Sequence, residues 1–376
     1  MKRWKVLILV AVSVFALSGC GKKEGTNKKT PETEGISPIE QAAAEKGNTP
    51  EDTGSEQLTE DGMAHSRLTN ELVDSALANK RPIAVMIPNE ISAVPHYGIS
   101  YADILYECNV EGDMTRLMGI FGDWENLEKI GNVRSARDYY IYWSFEWDSI
   151  LCHYGGPFYI DEVISRSTTD NINGTVAAEG IYFRSTDRNA PHNAYISAAG
   201  IDQAISQYGY SREYRGVTDD NHFQFASESE PNTLTQYDGS VSGTFIDMSE
   251  CYPRTKSYFK YDESDGQYYR FQSLAGGSDG PHIDALNNEQ LKFKNVIVQY
   301  TYYETRDDQG YLAYKCIDNT RSGWFFTEGR GIHINWVKES DYGATRYYDD
   351  FGTEITLNTG KTMILIVEDG DSFHFE

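Results

Sequence analysis

Two glutamates and an asparagine share one face of a predicted strand that runs from residue 103 to 111. Polar and apolar residues alternate there, so Glu107, Asn109 and Glu111 point one way while Cys108 belongs to the apolar face of a half-buried strand. Paired carboxylates in glycoside hydrolases lie roughly 5 to 9.5 Å apart. Four strand residues set the two glutamate Cα atoms about 13 Å apart. The spacing therefore favours a polar binding face over glycoside hydrolysis.

An arginine is expected to join this face from the next strand. Gly112 and Asp113 can close a hairpin into a second strand over 114–121, and a two-residue loop would place Arg116 opposite Asn109. The resulting face of Glu, Asn and Arg side chains predicts binding of a polar ligand. A solvated face of ion pairs is the alternative interpretation.

A second group of charged residues surrounds the start of a predicted helix. Ser135 fits the helix N-cap and Asp138 the third helical position. Arg134 and Arg137 flank this N-terminus and oppose its dipole, so they require compensation. Either internal carboxylates or a bound anion held by free N–H groups could supply it. Both arginines and Ser135 are therefore candidates for ligand binding.

Histidines and arginines in two loops complete the candidate set of the first half. His153 precedes a glycine-rich turn that lacks the lysine of a phosphate-binding loop. Arg184, Arg188, His192 and Asn193 form a polar loop cluster. These residues, together with those of the predicted strand, could converge on one cleft.

In the second half of the chain, His282 and Asp284 are separated by one residue. On a strand this spacing puts both side chains on one face, where they could form a histidine–carboxylate pair or supply two metal ligands. A third ligand is not evident, so a local hydrogen bond is expected, and we predict no metal site and no cofactor.

The N-terminus carries the features of an exported protein. Basic residues precede an apolar run over 6–17, which is too short to span a membrane and suits a signal peptide. The run ends in Leu-Ser-Gly-Cys, which resembles the lipobox of bacterial lipoproteins. We therefore predict a signal peptide over 1–19, and diacylglyceryl and palmitate-type acylation of Cys20. Two acyl chains would anchor the protein durably at the extracytoplasmic face of the cell membrane.

The overall composition excludes one class of partner. The chain has 376 residues, of which 33 are Lys or Arg and 57 are Asp or Glu, giving a formal charge of −24. A protein with this negative charge repels phosphate backbones, and nucleic acid is therefore not an expected partner. Residues 20–66 contain almost no large apolar side chains and predict a disordered tether.

The remaining chain predicts an α+β fold in two parts. We predict a mixed α/β N-terminal domain over 67–230 and a mainly β C-terminal domain over 231–376, with length enough for both. Helices are expected near 136–149 and 197–207, and Tyr-rich strands in the second domain. Four further cysteines, without a CxxC pair, are expected to be buried free thiols: Cys108, Cys152, Cys251 and Cys316.

Several sequence runs resemble those of the YerB-like lipoprotein family. In the first half these are RPIAVMIPN (81–89), GISYADILYE (98–107), EGDMTRLMGIF (111–121), KIGNVRSAR (129–137), HYGG (153–156) and RNAPHNAY (188–195); in the second, YDESDGQYYR (261–270), PHIDA (281–285), KNVIVQ (294–299), INWVK (334–338) and LNTGKT (357–362). The family pairs an N-terminal and a C-terminal domain of unknown function. The resemblance implies a lipoprotein with two domains and supplies no reaction.

These observations lead to one leading hypothesis and two alternatives. The leading hypothesis is a membrane-anchored, non-catalytic protein whose first domain binds a cell-wall or envelope protein, or a small anionic or polar ligand. An envelope hydrolase using Glu107 or Glu111 with His153 or His192 is the second, and it needs a carboxylate and a histidine within roughly 3 Å or one water. In the third, the β-rich domain is the interaction module.

Overall fold

A computed structural model of the chain describes residues 62–218 and 221–376. The predicted signal peptide, the lipidation site Cys20 and the tether up to residue 61 lie outside the described residues. The first strand, β1 (Met63–His65), pairs antiparallel with β2 (Leu72–Asp74). Strand β1 lies within the predicted tether, so regular structure begins earlier than the predicted residue 67.

The largest sheet contains eleven strands, which are numbered here along the chain. In spatial order they are β12 (Val241–Ser242), β22 (Arg330–Lys338), β21 (Asp318–Thr327), β18 (Asn295–Thr301), β25 (Thr362–Glu368), β4 (Ile104–Val110), β5 (Met114–Phe121), β3 (Ile83–Pro88), β7 (Ile150–His153) and β8 (Asn171–Asn173), with β23 (Arg346–Tyr348) beside β22. Its strands β18, β21, β22 and β25 lie in the second half of the chain, where strands were predicted.

The centre of this sheet is built from both halves of the chain. Strand β25 runs parallel to β18 on one side and parallel to β4 on the other, with Ile364 opposite Tyr106. Sheet hydrogen bonds thus join the first and second halves directly. The boundary near residue 230 stays a prediction about how the sequence is organised.

A second sheet of six antiparallel strands comes from the second half. It contains β13 (Phe245–Asp247), β14 (Tyr258–Asp262), β15 (Gln267–Ser273), β16 (Asp279–Pro281), β17 (Lys292–Phe293) and β26 (His374–Phe375). Smaller pairings link β6 (Ile130–Gly131), β10 (Ala194–Ile196) and β9 (Tyr182–Arg184); β11 (Gln224–Phe225) and β24 (Thr356–Leu357); and β19 (Tyr303–Thr305) and β20 (Leu312–Tyr314). The second half is mainly β, as predicted.

The described helices are few and short. They are α1 (Ser75–Ala78), α2 (Asp138–Phe145), α3 (Asp161–Ile164) and α4 (Ala198–Tyr208), with 3₁₀ turns at Ile91–Ala93, Ile99–Tyr101, Glu111–Asp113 and Phe158–Ile160. Two of them, α2 and α4, confirm the predicted helical regions. Because strands also dominate the first half, the fold is mostly sheet, and the expected mixed α/β character of that half finds only loose support.

The start of α2 differs from the prediction. Its N-cap is Arg137, which makes no side-chain capping hydrogen bond, so the assignment of Ser135 as N-cap was wrong. The helix starts two residues later than Ser135 would have set it. The backbone carbonyl of Ser135 instead accepts a hydrogen bond from Arg116 Nη1 at 2.6 Å.

Apolar side chains cover both faces of the large sheet. Leu105 and Leu117 share one cluster with residues of α4 and the six-stranded sheet, while Tyr106 and Cys108 share another with α2. Every residue of β4 is buried, so this strand is not half-buried as its alternation suggested. The four cysteines after Cys20 are buried free thiols, as expected. In the described ranges, no helix is long and apolar enough to cross a membrane.

Candidate functional site

The register of the β4–β5 hairpin decides which residues share a face. The loop is three residues long, so Cys108 pairs with Arg116 and Asn109 pairs with Thr115. This differs by one position from the predicted pairing of Arg116 with Asn109, and a one-residue shift moves every side chain to the other face. The prediction for Arg116 was therefore wrong, and Thr115 takes its place beside the glutamate.

The Glu107 carboxylate lies at the centre of a buried hydrogen-bond network. Oε1 accepts from Asn89 Nδ2 and Thr115 Oγ1, each at 2.8 Å. Oε2 accepts from Arg270 Nη2 at 2.7 Å and from Ser257 Oγ at 3.2 Å. The Glu107 and Arg270 side chains are both fully buried. A charge in such a position is tolerated only when paired and hydrogen-bonded, and both conditions are met.

The network continues through two histidines to the backbone. Arg270 Nη1 hydrogen-bonds to His282 Nδ1, His282 Nε2 lies 2.9 Å from His96 Nδ1, and His96 Nε2 lies 2.7 Å from the carbonyl oxygen of Pro88. Arginine can only donate and a carbonyl can only accept. The hydrogen bonds along this chain must therefore all point the same way. Each histidine is neutral, accepts a hydrogen bond at Nδ1 and donates one from Nε2.

Burial keeps both of these histidines neutral. It lowers the pKa of His96 to about 3 and that of His282 well below its ordinary value, and the Arg270 charge lowers both further. Asp284 does not contact His282, so the predicted local hydrogen bond was wrong. Its carboxylate accepts from the backbone N–H groups of Gly98 and Ser100, each at 2.8 Å, and so fastens the loop before β4.

Arg188 holds the neighbouring loop from the other side. Its guanidinium donates to the carbonyl oxygens of Ser92, Ala93, Val94 and Pro95 at 2.6 to 3.2 Å. These contacts use four donor–acceptor pairs to fix one turn of backbone. Arg188 therefore acts here as a structural clamp.

Most of the remaining candidate residues of the first half form contacts within the protein. Arg184 Nη1 donates to Asn193 Oδ1 at 2.6 Å. Arg137 pairs with Glu111 and, although burial opposes ionisation, lowers the pKa of that carboxyl. An internal carboxylate thus compensates this arginine, one of the two predicted possibilities. Arg134 differs, since its Nε is buried without a hydrogen-bond partner.

The geometry required of the hydrolase alternative is not met by its named residues. His153 bonds to the Gly155 carbonyl oxygen at 2.8 Å and to Asn171 Oδ1 at 3.2 Å. His192 lies 3.5 Å from Glu90 Oε1, and within the described chain neither histidine contacts Glu107 or Glu111. Both glutamates are instead held by arginines.

One predicted residue, Asn109, faces an open cavity of about 360 Å³. We name this cavity the acidic cleft. It lies at the end of the β4–β5 hairpin and is lined by Asn109, Val110, Gly112, Asp113, Glu250, Cys251, Pro253, Tyr303, Thr305, Gly310, Leu312, Glu368 and Asp371. Four of these side chains are carboxylates.

The Asn109 side chain is fixed by its donor group and leaves its acceptor free. Asn109 Nδ2 donates to the Cys251 carbonyl oxygen at 3.1 Å and reaches Glu368 Oε1 at 3.4 Å. Its Oδ1 is buried without a hydrogen-bond partner, and the residue is only 6% exposed. A buried acceptor without a donor costs about 1–3 kcal/mol.

The carboxylates of the acidic cleft are not neutralised by the protein. Within the described residues, Asp113, Glu250, Glu368 and Asp371 have no Lys, Arg or His within 4.0 Å. Burial and the neighbouring Glu368 charge raise the pKa of Asp371 to about 6. Glu368 also raises the pKa of Tyr303. The cleft therefore carries a negative field that favours a positively charged group.

Sequence reasoning did not find most of the acidic cleft. Asp113, Glu250, Glu368 and Asp371 lie on three widely separated segments, and no motif connects them. The only usable signal was the excess of acidic residues, and an overall excess does not indicate which positions in the sequence form the cleft. Asn109 was found because strand alternation is a local property.

Comparisons with known proteins cover both halves of the chain. Residues 68–211 match the family described as "Protein of unknown function (DUF3048) N-terminal domain", and residues 247–364 match its C-terminal domain. A protein of Bacillus subtilis (strain 168), named "Putative lipoprotein YerB", is 27% identical over 311 residues, 81% of this chain and 86% of the relative. The crystal structure of YerB protein from Bacillus subtilis is similar in fold, with a TM-score of 0.68, 24% identity, and coverage of 82% of this chain and 99% of that one.

Removing the arginine at the centre of the buried network should strongly destabilise the protein. Arg270→Met leaves the Glu107 charge buried without its partner, which costs about 3–5 kcal/mol. Lys292→Met is the matched control, because it breaks the exposed pair with Asp265 and should cost at most about 1 kcal/mol. Urea unfolding of both variants measures the difference, and equal losses would contradict the assigned role.

The two buried histidines should resist protonation in the folded protein. Free histidines titrate near about pH 6.5, so the unfolded chain takes up protons below this pH that the folded chain excludes. Their contribution to stability therefore falls as the pH drops from about 6.5 toward 3, by up to about 1.4 kcal/mol per pH unit for each. Imidazole ¹⁵N NMR between pH 7 and 5 should show His96 and His282 unchanged. Titration of either ring in that range would contradict the proton order derived above.

Proposed function

The chain belongs to the DUF3048 family of YerB-like proteins, and from this premise we propose that it is a membrane-anchored, extracytoplasmic lipoprotein that binds a positively charged ligand without catalysis. The acidic cleft is the observation that carries the binding role. Its four carboxylates line one cavity and have no basic partner within the described residues. An amine or guanidinium ligand offers the positive charge that the lining side chains lack.

The anchor is supported by the N-terminal sequence and by the name of the Bacillus subtilis relative. Basic residues, a short apolar run and Leu-Ser-Gly-Cys occur in the order that lipoprotein export requires. With Cys20 acylated, the protein would stay at the membrane while its binding site faces the extracytoplasmic space.

A non-catalytic role is favoured by the internal contacts that the candidate acid–base residues already make. Glu107 accepts several internal hydrogen bonds and an ion pair, and Glu111 is paired with Arg137. Of the two arginines that suggested an anionic ligand, Arg137 is paired with Glu111. Arg184 and Arg188 of the polar loop cluster bind Asn193 and backbone carbonyls. The charge of the acidic cleft favours a cation in place of that anion.

Loss of the predicted acylation site should release the protein from the membrane. Cys20→Ala removes the thiol that receives the lipid, whereas Lys23→Gln changes only a charge in the predicted tether. In a bacterial host, fractionation should place wild type and Lys23→Gln with membranes and Cys20→Ala outside them. Mass spectrometry of the N-terminal peptide should find two acyl chains on Cys20. An unmodified wild-type chain in the soluble fraction would contradict the anchor.

A simple organic cation should stabilise the full-length protein where its anionic counterpart does not. At equal ionic strength, n-butylammonium at ten times its Kd adds about 1.4 kcal/mol to the native state, or roughly 2–4 °C in Tm, while n-butyrate adds nothing. Asp371→Asn should reduce this shift. Glu304→Gln should preserve it, because Glu304 is exposed between the lining residues Tyr303 and Thr305 but does not itself line the cleft. Equal shifts with both ions would contradict cation binding.

A further inference from the structure

We infer that the cavity between the Ile99–Tyr101 turn and the six-stranded sheet binds an uncharged sugar of one or two pyranose rings. We name it the junction cavity, because residues of both halves of the chain line it. None of its described lining residues belongs to the acidic cleft, so the inference goes beyond the proposed function. It rests on rigid walls, an apolar base, free amide groups and a balance of charge.

The volume of the junction cavity suits a small molecule. It encloses about 460 Å³, within the range of small-ligand pockets, about 300–1,000 Å³. The first half of the chain contributes Glu71 and residues of the 3₁₀ turn, and the second half contributes β15, β17 and the loop before β25. A protein partner would require a far larger contact surface.

Contacts to Ser100 fasten the two walls to each other. Its Oγ donates to Asp284 Oδ2 at 2.7 Å and accepts from Asn287 Nδ2 at 3.0 Å. Its backbone carbonyl oxygen accepts from Lys361 Nζ. Three residues of the second half thus hold one residue of the first, and the cavity is formed before a ligand arrives. A preformed site avoids the free-energy cost of ordering its walls on binding.

The base of the junction cavity is apolar, and one of its walls is aromatic. The buried side chains of Ile99, Leu291 and Phe293 line it from within the fold. The Tyr269 ring lines it as well and is held in place, because its hydroxyl donates to Asp265 Oδ2 at 2.8 Å. A pyranose ring presents C–H groups on its faces, and these gain from contact with apolar and aromatic surface. A hydrated inorganic ion would use neither.

Two glutamines of the lining offer unused hydrogen-bonding groups that solvent reaches. The Gln267 amide has no partner among the described residues, and neither of its polar atoms is buried. Gln290 Nε2 donates to the Arg270 carbonyl oxygen at 2.9 Å, which leaves the accessible Oε1 of that amide without a donor. Donors and acceptors are therefore both available. A sugar hydroxyl donates and accepts and can use both, whereas an ammonium group can only donate.

The charges of the junction cavity compensate each other. Two carboxylates, Glu71 and Glu289, line it together with two ammonium groups, Lys292 and Lys361. Burial lowers the pKa of Lys361, and the neighbouring carboxylates of Asp103, Glu71 and Glu289 oppose that shift. A charged ligand would add a charge that nothing in this balance requires, and removing that charge from water is costly. The acidic cleft differs, since its lining contains carboxylates and no basic side chain.

Calorimetry of the full-length protein, in a detergent without a sugar headgroup, tests the inference. At least one of two uncharged disaccharides, cellobiose and N,N′-diacetylchitobiose, should bind at a single site. Gln267→Leu keeps the size of the side chain, removes its amide and breaks no internal hydrogen bond, so it should weaken this binding by roughly three- to tenfold. Gln207→Leu is the matched control, because Gln207 is exposed on α4 and does not line the cavity. Its affinity should be unchanged, and near-ultraviolet circular dichroism establishes that each variant is folded.

Competition against the bound disaccharide tests the charge of the ligand. Glucose should displace it more effectively than glucosamine, which adds an ammonium group, or glucuronate, which adds a carboxylate. More effective displacement by either charged sugar would overturn the neutral ligand class. Displacement by n-butylammonium would place the sugar in the acidic cleft and overturn the site.

The remaining outcomes separate this inference from the proposed function. If neither disaccharide binds, the sugar assignment is wrong, while stabilisation by n-butylammonium still decides cation binding on its own. If Gln267→Leu and Gln207→Leu have equal effects on the affinity, the disaccharide does not contact the Gln267 amide and the assigned site is wrong.

Discussion

The buried ion pair between Glu107 and Arg270 is the interaction on which the rest of the structure depends. Its two members come from the first and second halves of the chain, and both are fully removed from water. Such a pair requires hydrogen-bond partners for its remaining polar atoms, and every one except Arg270 Nε has a partner. Asn89 and Thr115 satisfy the carboxylate, and His282 continues the chain of donors from the guanidinium. The position of β4 against the six-stranded sheet follows from this requirement.

Three of the sequence runs that resemble the YerB-like family contribute to this framework. Asn89, Glu107 and His282 belong to three such runs and meet in one network, while Arg188 clamps the loop beside it. These residues therefore help to hold the fold together. The acidic cleft lies at the end of the same strand β4, where the Asn109 side chain donates to the Cys251 carbonyl oxygen beside the cavity.

The carboxylates of the buried framework and those of the acidic cleft differ in whether they have basic partners. Deeply buried carboxylates such as Glu107, Glu146 and Asp148 each have a basic partner, because an isolated buried charge is costly. Around the acidic cleft the carboxylates lack such partners within the described chain, and water or a ligand must compensate them. A protein with a charge of −24 can leave many acidic side chains in solvent. Gathering four around one cavity is a specific arrangement, and it motivates the cation-binding proposal.

Local properties of the chain were determined by the sequence alone. Alternation of polar and apolar residues identified β4, and Tyr-rich runs indicated the strands of the second half. Helical patterns located α2 and α4, and cysteine spacing indicated free thiols. Tertiary structure alone decided the face of Arg116, the separation of His282 from Asp284, and the meeting of Asp113, Glu250 and Asp371. Because the hairpin loop has three residues and not the predicted two, Arg116 lies on the opposite face of the hairpin from the predicted one. Periodicity is set by neighbours along the backbone, whereas register and long-range contacts are set by the packing of the whole fold, which short-range patterns do not encode.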